Sequence, residues 1–269
     1  MRAVPDILVR IFERKAQRRQ DDERRIPYDE IARRAAARVG ERREFLAALE
    51  RAPGIAVIAE IKRASPSAGI IADAFDPVAV ARRYGEAKVD AISVLTEEEH
   101  FLGELAYLDL VRAVSTAPLL RKDFIATPYE VAASAAAGAD AVLLIVAALD
   151  DDAIRACMRE AARYELAALV EIHDERELER ALALGARIVG VNNRNLRTLA
   201  VDLAVGEALL PRIPRGVFPI GESGMRDERD VARLARAGAR GVLIGEALMR
   251  DAAPEKKIAA LRRLALARP

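Results

Sequence analysis

Residue types that build disulfides and metal centres are scarce in this sequence. The chain has one cysteine, Cys157, and two histidines, His100 and His173, among its 269 residues. One cysteine cannot form a disulfide within the chain, and two isolated histidines are too few to indicate a zinc site. Cys157 falls at helical spacing with apolar neighbours and has no histidine near it in sequence. We therefore expect a packed thiol rather than a nucleophile, and no metal site.

Long apolar runs and an excess of charge are also absent. No apolar run reaches the roughly 18 residues that a membrane helix needs, and the first residues lack the apolar core of a signal peptide. The 43 basic and 42 acidic residues give a formal net charge of +1. That balance offers no global electrostatic reason to bind nucleic acid or a membrane. We expect a reduced, soluble, cytoplasmic protein with neither of these partners.

Eight short apolar runs rich in β-branched residues recur from residue 55 onward. They span residues 55–62, 90–96, 118–124, 139–146, 167–173, 187–193, 217–223 and 240–245. Nearly continuous apolar runs are typical of strands that are covered on both faces, which is the parallel arrangement.

Helical segments with their own start and stop signals lie between these runs. Asp76 and Thr127 each precede a proline at a helix start, and Glu130 completes a capping box with Thr127. Glycine follows a helix and precedes a strand in three short repeats, AGAD, LGAR and AGAR (residues 137–140, 184–187 and 237–240). Glycine at such a point readily adopts a left-handed backbone conformation.

Eight strand–helix units predict an α/β fold, the (β/α)8 TIM barrel. A doubly wound open sheet gives the same alternation of signals and is the alternative. We favour the barrel because eight units suit its length and no GxGxxG motif opens the first unit. We predict one barrel domain over residues 1–269. Residues 1–50 have helical spacing and dense, mixed charge, which predicts a helical extension that covers part of the barrel.

Several runs end in polar residues, and in a TIM barrel the functional side chains come from these C-terminal strand ends. The residues are Glu60, Lys62, Lys122, Glu171, Asn192, Glu222 and Ser223. Each has a structural alternative, such as a strand-end ion pair, a helix cap or a turn. Their occurrence on five strands favours an active site for acid–base chemistry. The sign of any lysine pKa shift stays open, because a second lysine nearby would lower the pKa while glutamates would raise it.

Glycine-containing segments follow the seventh and eighth runs directly, in GESGM (221–225) and IGEAL (244–248). Loops after these two strands are a recurrent phosphate site in this fold, because backbone N–H groups can donate to the anion. Glu246 suits such a site only if its N–H, and not its carboxylate, faces the phosphate. The structural alternative is that these glycines only form turns.

The chain from about residue 55 to residue 250 resembles the indole-3-glycerol-phosphate synthase family. The motifs are AEIKRASPSAG (59–69), SVLTEEEHFLGE (93–104), LLRKDF (119–124), LVEIH (169–173), VGVNNRNLRT (189–198), ESGM (222–225) and IGEALM (244–249). Departures from the family's usual residues occur in loops, at Ala68, at His100 to Leu102 and at Leu199-Ala200. The resemblance implies the decarboxylating, dehydrating ring closure of 1-(2-carboxyphenylamino)-1-deoxyribulose 5-phosphate, a phosphorylated small molecule. It implies no cofactor and no metal. We expect a monomer, with a homodimer as the alternative.

The resemblance also implies a role for each candidate residue. Lys122 looks like the general acid of ring closure, Glu171 its partner in the later dehydration, and Lys62 a second proton donor. The remaining predicted contacts are Glu60, Asn192 and Glu222 as orienting groups, Ser65, Arg194, Phe124 and Leu196 around the anthranilate ring, and Ser223, Gly224, Gly245 and Glu246 at the phosphate.

Two rival functions remain. Phosphoribosylanthranilate isomerase, another phosphate-binding barrel, usually needs a catalytic cysteine at a strand end, whereas Cys157 falls on a predicted helix. A catalytically silent or engineered barrel of the same family would bind the substrate without turning it over.

Overall fold

The computed structural model describes residues 6–72 and 74–264 of the chain. Eight parallel strands close into a barrel, in which each strand pairs with its neighbours in sequence and the first pairs with the last. The barrel strands are Ala56–Ile61 (β1), Ala91–Leu95 (β2), Leu119–Lys122 (β3), Ala141–Ile145 (β4), Ala167–Ile172 (β5), Ile188–Asn192 (β6), Phe218–Glu222 (β7) and Gly241–Ile244 (β8). The predicted (β/α)8 TIM barrel is confirmed. The open-sheet alternative is wrong, because β1 and β8 are hydrogen-bonded to each other.

Helices flank this barrel. Within the described ranges the α-helices are Asp6–Arg25 (α1), Tyr28–Ala37 (α2), Phe45–Glu50 (α3), Pro77–Glu86 (α4), Tyr107–Val114 (α5), Pro128–Ala136 (α6), Asp151–Arg163 (α7), Glu175–Ala183 (α8), Ala204–Leu209 (α9), Glu228–Arg236 (α10), Glu246–Met249 (α11) and Pro254–Leu261 (α12). Short 3-10 helices span Val39–Glu41 and Leu210–Arg212, and a hairpin after β1 pairs Ala64–Ser65 with Gly69–Ile70. No helix in the described part of the chain is both long and apolar enough to cross a membrane.

The predicted helix signals are confirmed. The carboxylate of Asp76 accepts hydrogen bonds from the first turn of α4. Glu130 accepts the backbone N–H of Thr127 at 3.1 Å in the capping box of α6. The glycines of the three repeats, Gly138, Gly185 and Gly238, have φ values of 86°, 82° and 111°. Each helix therefore ends where the sequence places its glycine.

Apolar side chains pack in two layers. Alternate strand residues such as Ile58, Leu169 and Ile220 fill the inside of the barrel. The opposite faces of the strands pack against the helices. Phe45 and Leu49 of α3 belong to the inner layer, so α3 closes one end of the barrel.

The N-terminal extension contributes to both ends of the barrel. The segment that leads into α3 lies at the N-terminal strand ends, where the backbone N–H of Arg43 donates to Asp140 just before β4. Helix α1 lies at the C-terminal strand ends, where its buried residues Leu8 and Ile11 line the same cavity as Lys122. Residues 1–5 of the predicted extension lie outside the described residues.

Candidate active site

A cavity of about 930 Å³ opens at the C-terminal ends of the barrel strands. Small-molecule sites usually measure about 300–1,000 Å³. The lining includes every residue predicted for the site: Glu60, Lys62, Ser65, Lys122, Phe124, Glu171, Asn192, Arg194, Leu196, Glu222, Ser223, Gly224, Gly245 and Glu246. The structure thus brings these residues together, while the chemical role of each one remains a prediction.

Lys122 lies between two carboxylates. It ends β3, and its Nζ is 2.7 Å from Glu171 Oε2 on β5 and 3.1 Å from Glu222 Oε2 on β7. Asn192, at the end of β6, donates from Nδ2 to Glu171 Oε1 at 3.1 Å. Four strands, β3, β5, β6 and β7, therefore hold one ammonium group, two carboxylates and an amide in contact.

The electrostatics of this cluster resolve the sign left open by the sequence. Burial opposes the charge on Lys122, yet Glu171 and Glu222 outweigh burial and raise the pKa of Lys122 above its ordinary value. Burial likewise opposes the charge on Glu171, but Lys122 and His173 hold the pKa of that carboxyl well below its usual range. Lys122 is thus a cation and Glu171 an anion at neutral pH.

Glu222 differs from Glu171 in its surroundings. Burial raises the pKa of Glu222 to about 7, because the nearby Glu171 charge adds to burial and Lys122 only partly offsets it. Its Oε1 atom is buried and has no hydrogen-bond partner among the described residues. Space for this carboxylate comes from Gly190 in β6, where an added Cβ would overlap Glu222 Oε1. Glu222 can therefore gain and lose a proton near neutral pH.

Glu60 and Lys62 form a second pair at the end of β1. Their side chains point to the same side, as the strand alternation predicts, with Lys62 Nζ 2.7 Å from Glu60 Oε1. The pair lies next to Gly245, which directly follows β8, the strand paired with β1. A Cβ on Gly245 would overlap the Glu60 carboxylate, so a larger residue here would displace the ion pair.

Comparison with known proteins agrees with this geometry. The sequence profile described as indole-3-glycerol phosphate synthase matches residues 8–261. The chain belongs to the indole-3-glycerol phosphate synthase family. It is 54% identical over 205 residues to indole-3-glycerol phosphate synthase from Nocardioides sp., with 76% of this chain and 79% of that protein covered. It is 50% identical over 224 residues to indole-3-glycerol phosphate synthase from Parafrankia sp., with 83% of each chain covered. The resemblance inferred from the motifs is confirmed.

A solved structure outside the family shares the fold alone. The 3-hexulose-6-phosphate synthase from Salmonella typhimurium superposes with a TM-score of 0.64 at 16% identity, and the match covers 78% of this chain and 98% of that one.

One side of the cavity carries the residues that the indole-3-glycerol phosphate synthase resemblance assigns to the anthranilate ring. Phe124 packs edge-on against Phe12 of α1, with ring centroids 5.7 Å apart. Ser65 lies in the hairpin after β1 and accepts the backbone N–H of Ala68 at 3.2 Å. Arg194 donates from Nη1 to the carbonyl of Leu199 at 2.9 Å, which bends the loop after β6 back on itself.

The predicted phosphate contacts line the same cavity after β7 and β8. Ser223 and Gly224 follow β7 and have φ values of 60° and 87°, so the chain turns sharply there. Glu246 begins α11, and its Oε1 accepts a hydrogen bond from Arg250 Nε at 3.0 Å. The Glu246 carboxylate is therefore held by the side chain of Arg250, just past the end of α11, as a phosphate site that uses the Glu246 N–H would require.

The sequence did not reveal the residues that support the cluster of Lys122, Glu171, Glu222 and Asn192. His173 places Nε2 3.4 Å from Glu171 Oε1. Asp123 accepts from Thr96 Oγ1 at 2.6 Å and from Arg121 Nη2 at 2.7 Å, and so braces the chain next to Lys122. A histidine two positions after a strand-end glutamate shares its face of the strand, and that spacing was the available signal.

Asn193, the residue after Asn192, connects two strand ends to a helix. It is buried, donates from Nδ2 to the carbonyl of Glu222 at 2.8 Å and accepts the N–H of Gly206 at 2.8 Å. Asn193 thereby ties the ends of β6 and β7 to α9.

The described residues include no cluster of three or more His, Cys, Asp or Glu side chains that could hold a metal ion.

Proposed function

We propose that this protein is a carboxy-lyase of tryptophan biosynthesis. It converts 1-(2-carboxyphenylamino)-1-deoxyribulose 5-phosphate to indole-3-glycerol phosphate with loss of CO2 and water. The observation that supports it most strongly is Lys122 held between Glu171 and Glu222 inside the cavity of a family member. The proposal includes a cytoplasmic location and a monomeric state, and sedimentation velocity tests the latter.

Ring closure needs an acid at the substrate carbonyl. The ring carbon that bears the carboxylate bonds to the carbonyl carbon, and the carbonyl oxygen becomes a hydroxyl by taking a proton from Lys122. Because its carboxylate neighbours keep Lys122 protonated, the ammonium group is present when the oxygen becomes basic. Loss of CO2 then returns the bonding electrons to the ring and restores its aromatic character.

Dehydration completes the indole. The new hydroxyl leaves as water with a proton from Lys62, while Glu171 takes a proton from the adjacent carbon to form the double bond. Glu171 suits a base because it is ionised, and Asn192 directs it through the hydrogen bond to Oε1. Glu60 holds Lys62 in place through their ion pair. Glu222, whose pKa is about 7, returns protons to Lys122 between turnovers.

Binding contacts flank these groups. Ser65 and Arg194 contact the anthranilate end, and Phe124 and Leu196 give its ring an apolar wall. Ser223, Gly224, Gly245 and Glu246 hold the phosphate, largely through backbone N–H groups. This arrangement fixes both ends of the substrate and leaves the reacting carbons near Lys122.

Substrate labelled with carbon-13 in its carboxyl group tests the proposal. We expect labelled CO2 and unlabelled indole-3-glycerol phosphate in equal amounts. A folded protein that binds a reduced substrate analogue by calorimetry and releases no labelled CO2 would be a silent barrel instead. Activity on phosphoribosylanthranilate would support the isomerase, which Cys157 argues against because it is fully buried in α7, away from the strand ends.

A further inference from the structure

His173 lies behind the cluster, outside the proposed contacts with substrate. It follows β5 and belongs to the same face as Glu171, and its side chain is 13% exposed. Its Nδ1 is 3.1 Å from Glu177 Oε2 of α8, and its Nε2 is 3.4 Å from Glu171 Oε1. One imidazole therefore stands between two carboxylates.

Both ring nitrogens lie near carboxylate oxygens, Nδ1 at hydrogen-bond distance from Glu177 and Nε2 in ion-pair range of Glu171 without a hydrogen bond. A neutral imidazole has one N–H and one lone pair, so one of its nitrogens would point a lone pair at an anionic oxygen. The doubly protonated ring can donate from Nδ1 to Glu177 and also places a positive charge beside the Glu171 carboxylate. Burial would lower the pKa of His173, but the contacts with Glu171 and Glu177 outweigh burial and raise it to about 9.

The charge on His173 distinguishes the two glutamates of the site. Glu171 faces the cations Lys122 and His173 and the amide of Asn192. Glu222 faces one cation, Lys122, and also lies near the Glu171 carboxylate, while its Oε1 atom has no hydrogen-bond partner among the described residues. The carboxylate between two cations loses its proton first, so an exchangeable proton resides on the other one.

A purely structural role for His173 would not need this arrangement. The backbone N–H of His173 already donates to Glu177 Oε2 at 2.7 Å, and Asp174 caps α8 through the N–H of Glu177. Both contacts persist whatever side chain occupies position 173. The imidazole adds a contact from Nδ1 to Glu177 and the approach of Nε2 to Glu171.

We propose that His173 is a positioning residue of this active site: its imidazolium, anchored by Glu177, keeps Glu171 ionised and directed at Lys122 and so leaves the mobile proton to Glu222. Its effect on rate rests on the proposed function, whereas the charge relationship between His173 and Glu171 exists without turnover. The charge relationship and the effect on rate can therefore be tested separately.

The charge relationship is tested by NMR on protein labelled in histidine, since the chain has only two histidines. A His100→Gln variant assigns the signals. We expect the His173 ring to titrate well above the ordinary value of about 6.5, and Glu171→Gln to lower its pKa by at least about one unit while the His100 signal stays unchanged. A ring that titrates at or below about 6.5, or that ignores Glu171→Gln, overturns the inference.

The kinetic consequence is tested with His173→Gln. Without the cation, the pKa of Glu171 rises, so the acidic limb of the kcat profile should move to higher pH. We expect kcat to fall about tenfold at the acidic end, where one pKa unit corresponds to tenfold, with KM nearly constant. Glu177→Gln retains the His173 imidazole, so it should move the acidic limb of the kcat profile to higher pH by a smaller amount.

The possible failures differ from one another. A wild-type protein without turnover contradicts the proposed function, and the NMR titration then decides on His173 alone. An active wild type whose His173→Gln variant loses rate equally at every pH contradicts the positioning role, since a general loss of packing would act in that way.

Discussion

Lys15 of the N-terminal helix α1 forms a largely buried ion pair with Asp123, the residue that follows Lys122. The Lys15 Nζ lies 2.6 Å from Asp123 Oδ1, and the same oxygen accepts the backbone N–H of Phe124 at 2.8 Å. A helix far away in sequence therefore contacts the strand end that carries the proposed acid. This ion pair therefore connects helix α1, which covers the cavity, to the strand end that carries Lys122.

Lys15→Met should loosen that connection. Asp123 would keep Arg121 and Thr96 but lose one cation, so we expect the free energy of unfolding to fall by about 1–3 kcal/mol. We also expect KM to rise several-fold, because α1 carries Leu8 and Ile11 over the cavity. Urea unfolding and steady-state kinetics measure the two effects.

Arg14→Met is the matched control for Lys15→Met. Arg14 Nε is 3.9 Å from Glu99 Oε2, and its side chain is 66% exposed, so its removal should change stability by less than about 0.5 kcal/mol. Equal effects of the two variants would show that the buried pair has no special part in holding α1.

Gly190→Ala should damage the site from inside the barrel. The added methyl group would occupy the space of the Glu222 carboxylate. We expect at least about a tenfold loss of kcat and a fall of about 1–3 kcal/mol in the free energy of unfolding, the usual effect of overpacking. Gly85→Ala in α4 serves as the control, because its Cβ would meet no atom within 4 Å and alanine favours a helix by roughly 0.5–1 kcal/mol. Full activity of Gly190→Ala would mean that the Glu222 side chain adopts another conformation without harm to the reaction.

The two glutamates should affect stability with opposite dependence on pH. The folded pKa of Glu222, about 7, exceeds the unfolded value of about 4.3, so folding becomes less favourable as pH rises between these values. Glu222→Gln removes this loss and should gain stability relative to the wild type from about pH 5 to about pH 8. Glu171 has a lowered pKa, so its contribution is present above about pH 4.3 and disappears as pH falls.

Urea unfolding curves of both variants over this pH range give the comparison. Glu171→Gln should be the less stable variant at neutral pH and should approach the wild type in acid. If the free energies of unfolding of Glu171→Gln and Glu222→Gln changed with pH in parallel, the proposed opposite pKa shifts of the two glutamates would be wrong.

Cys157 should be inert in the folded protein. It is fully buried in α7, and burial raises the pKa of its thiol to about 12. The thiolate that reacts with a disulfide reagent is therefore absent at neutral pH. We expect no reaction with Ellman's reagent until the chain is unfolded in guanidinium, and then one equivalent per chain. Rapid reaction of the native protein would place the thiol at the surface.

The sequence predicts the barrel well because its signals are local. Apolar runs, prolines at helix starts and glycines at helix ends depend on near neighbours in the chain, and all eight runs are strands. Run 118–124 becomes a strand only over Leu119–Lys122, because the side chain of Asp123 takes the N–H of Phe124 for itself.

The remaining features depend on contacts between distant parts of the chain. The direction of the Lys122 pKa shift is set by distances to Glu171 and Glu222, which no sequence pattern contains. Gly190 could be recognised as a glycine inside a strand, but its partner Glu222 becomes visible only when β6 and β7 pair. His173 was overlooked for the same reason, since Glu177 approaches it from the following helix.

Formation of indole-3-glycerol phosphate, monitored by its fluorescence, is the decisive measurement of the proposed activity. Wild-type protein and a Lys122→Ala variant, checked for folding by circular dichroism, would be mixed with the carboxyphenylamino-deoxyribulose phosphate. We expect rapid indole formation by the wild type and a loss of several orders of magnitude in the variant. A folded wild type without product, or a Lys122→Ala variant that is equally fast, would contradict this expectation.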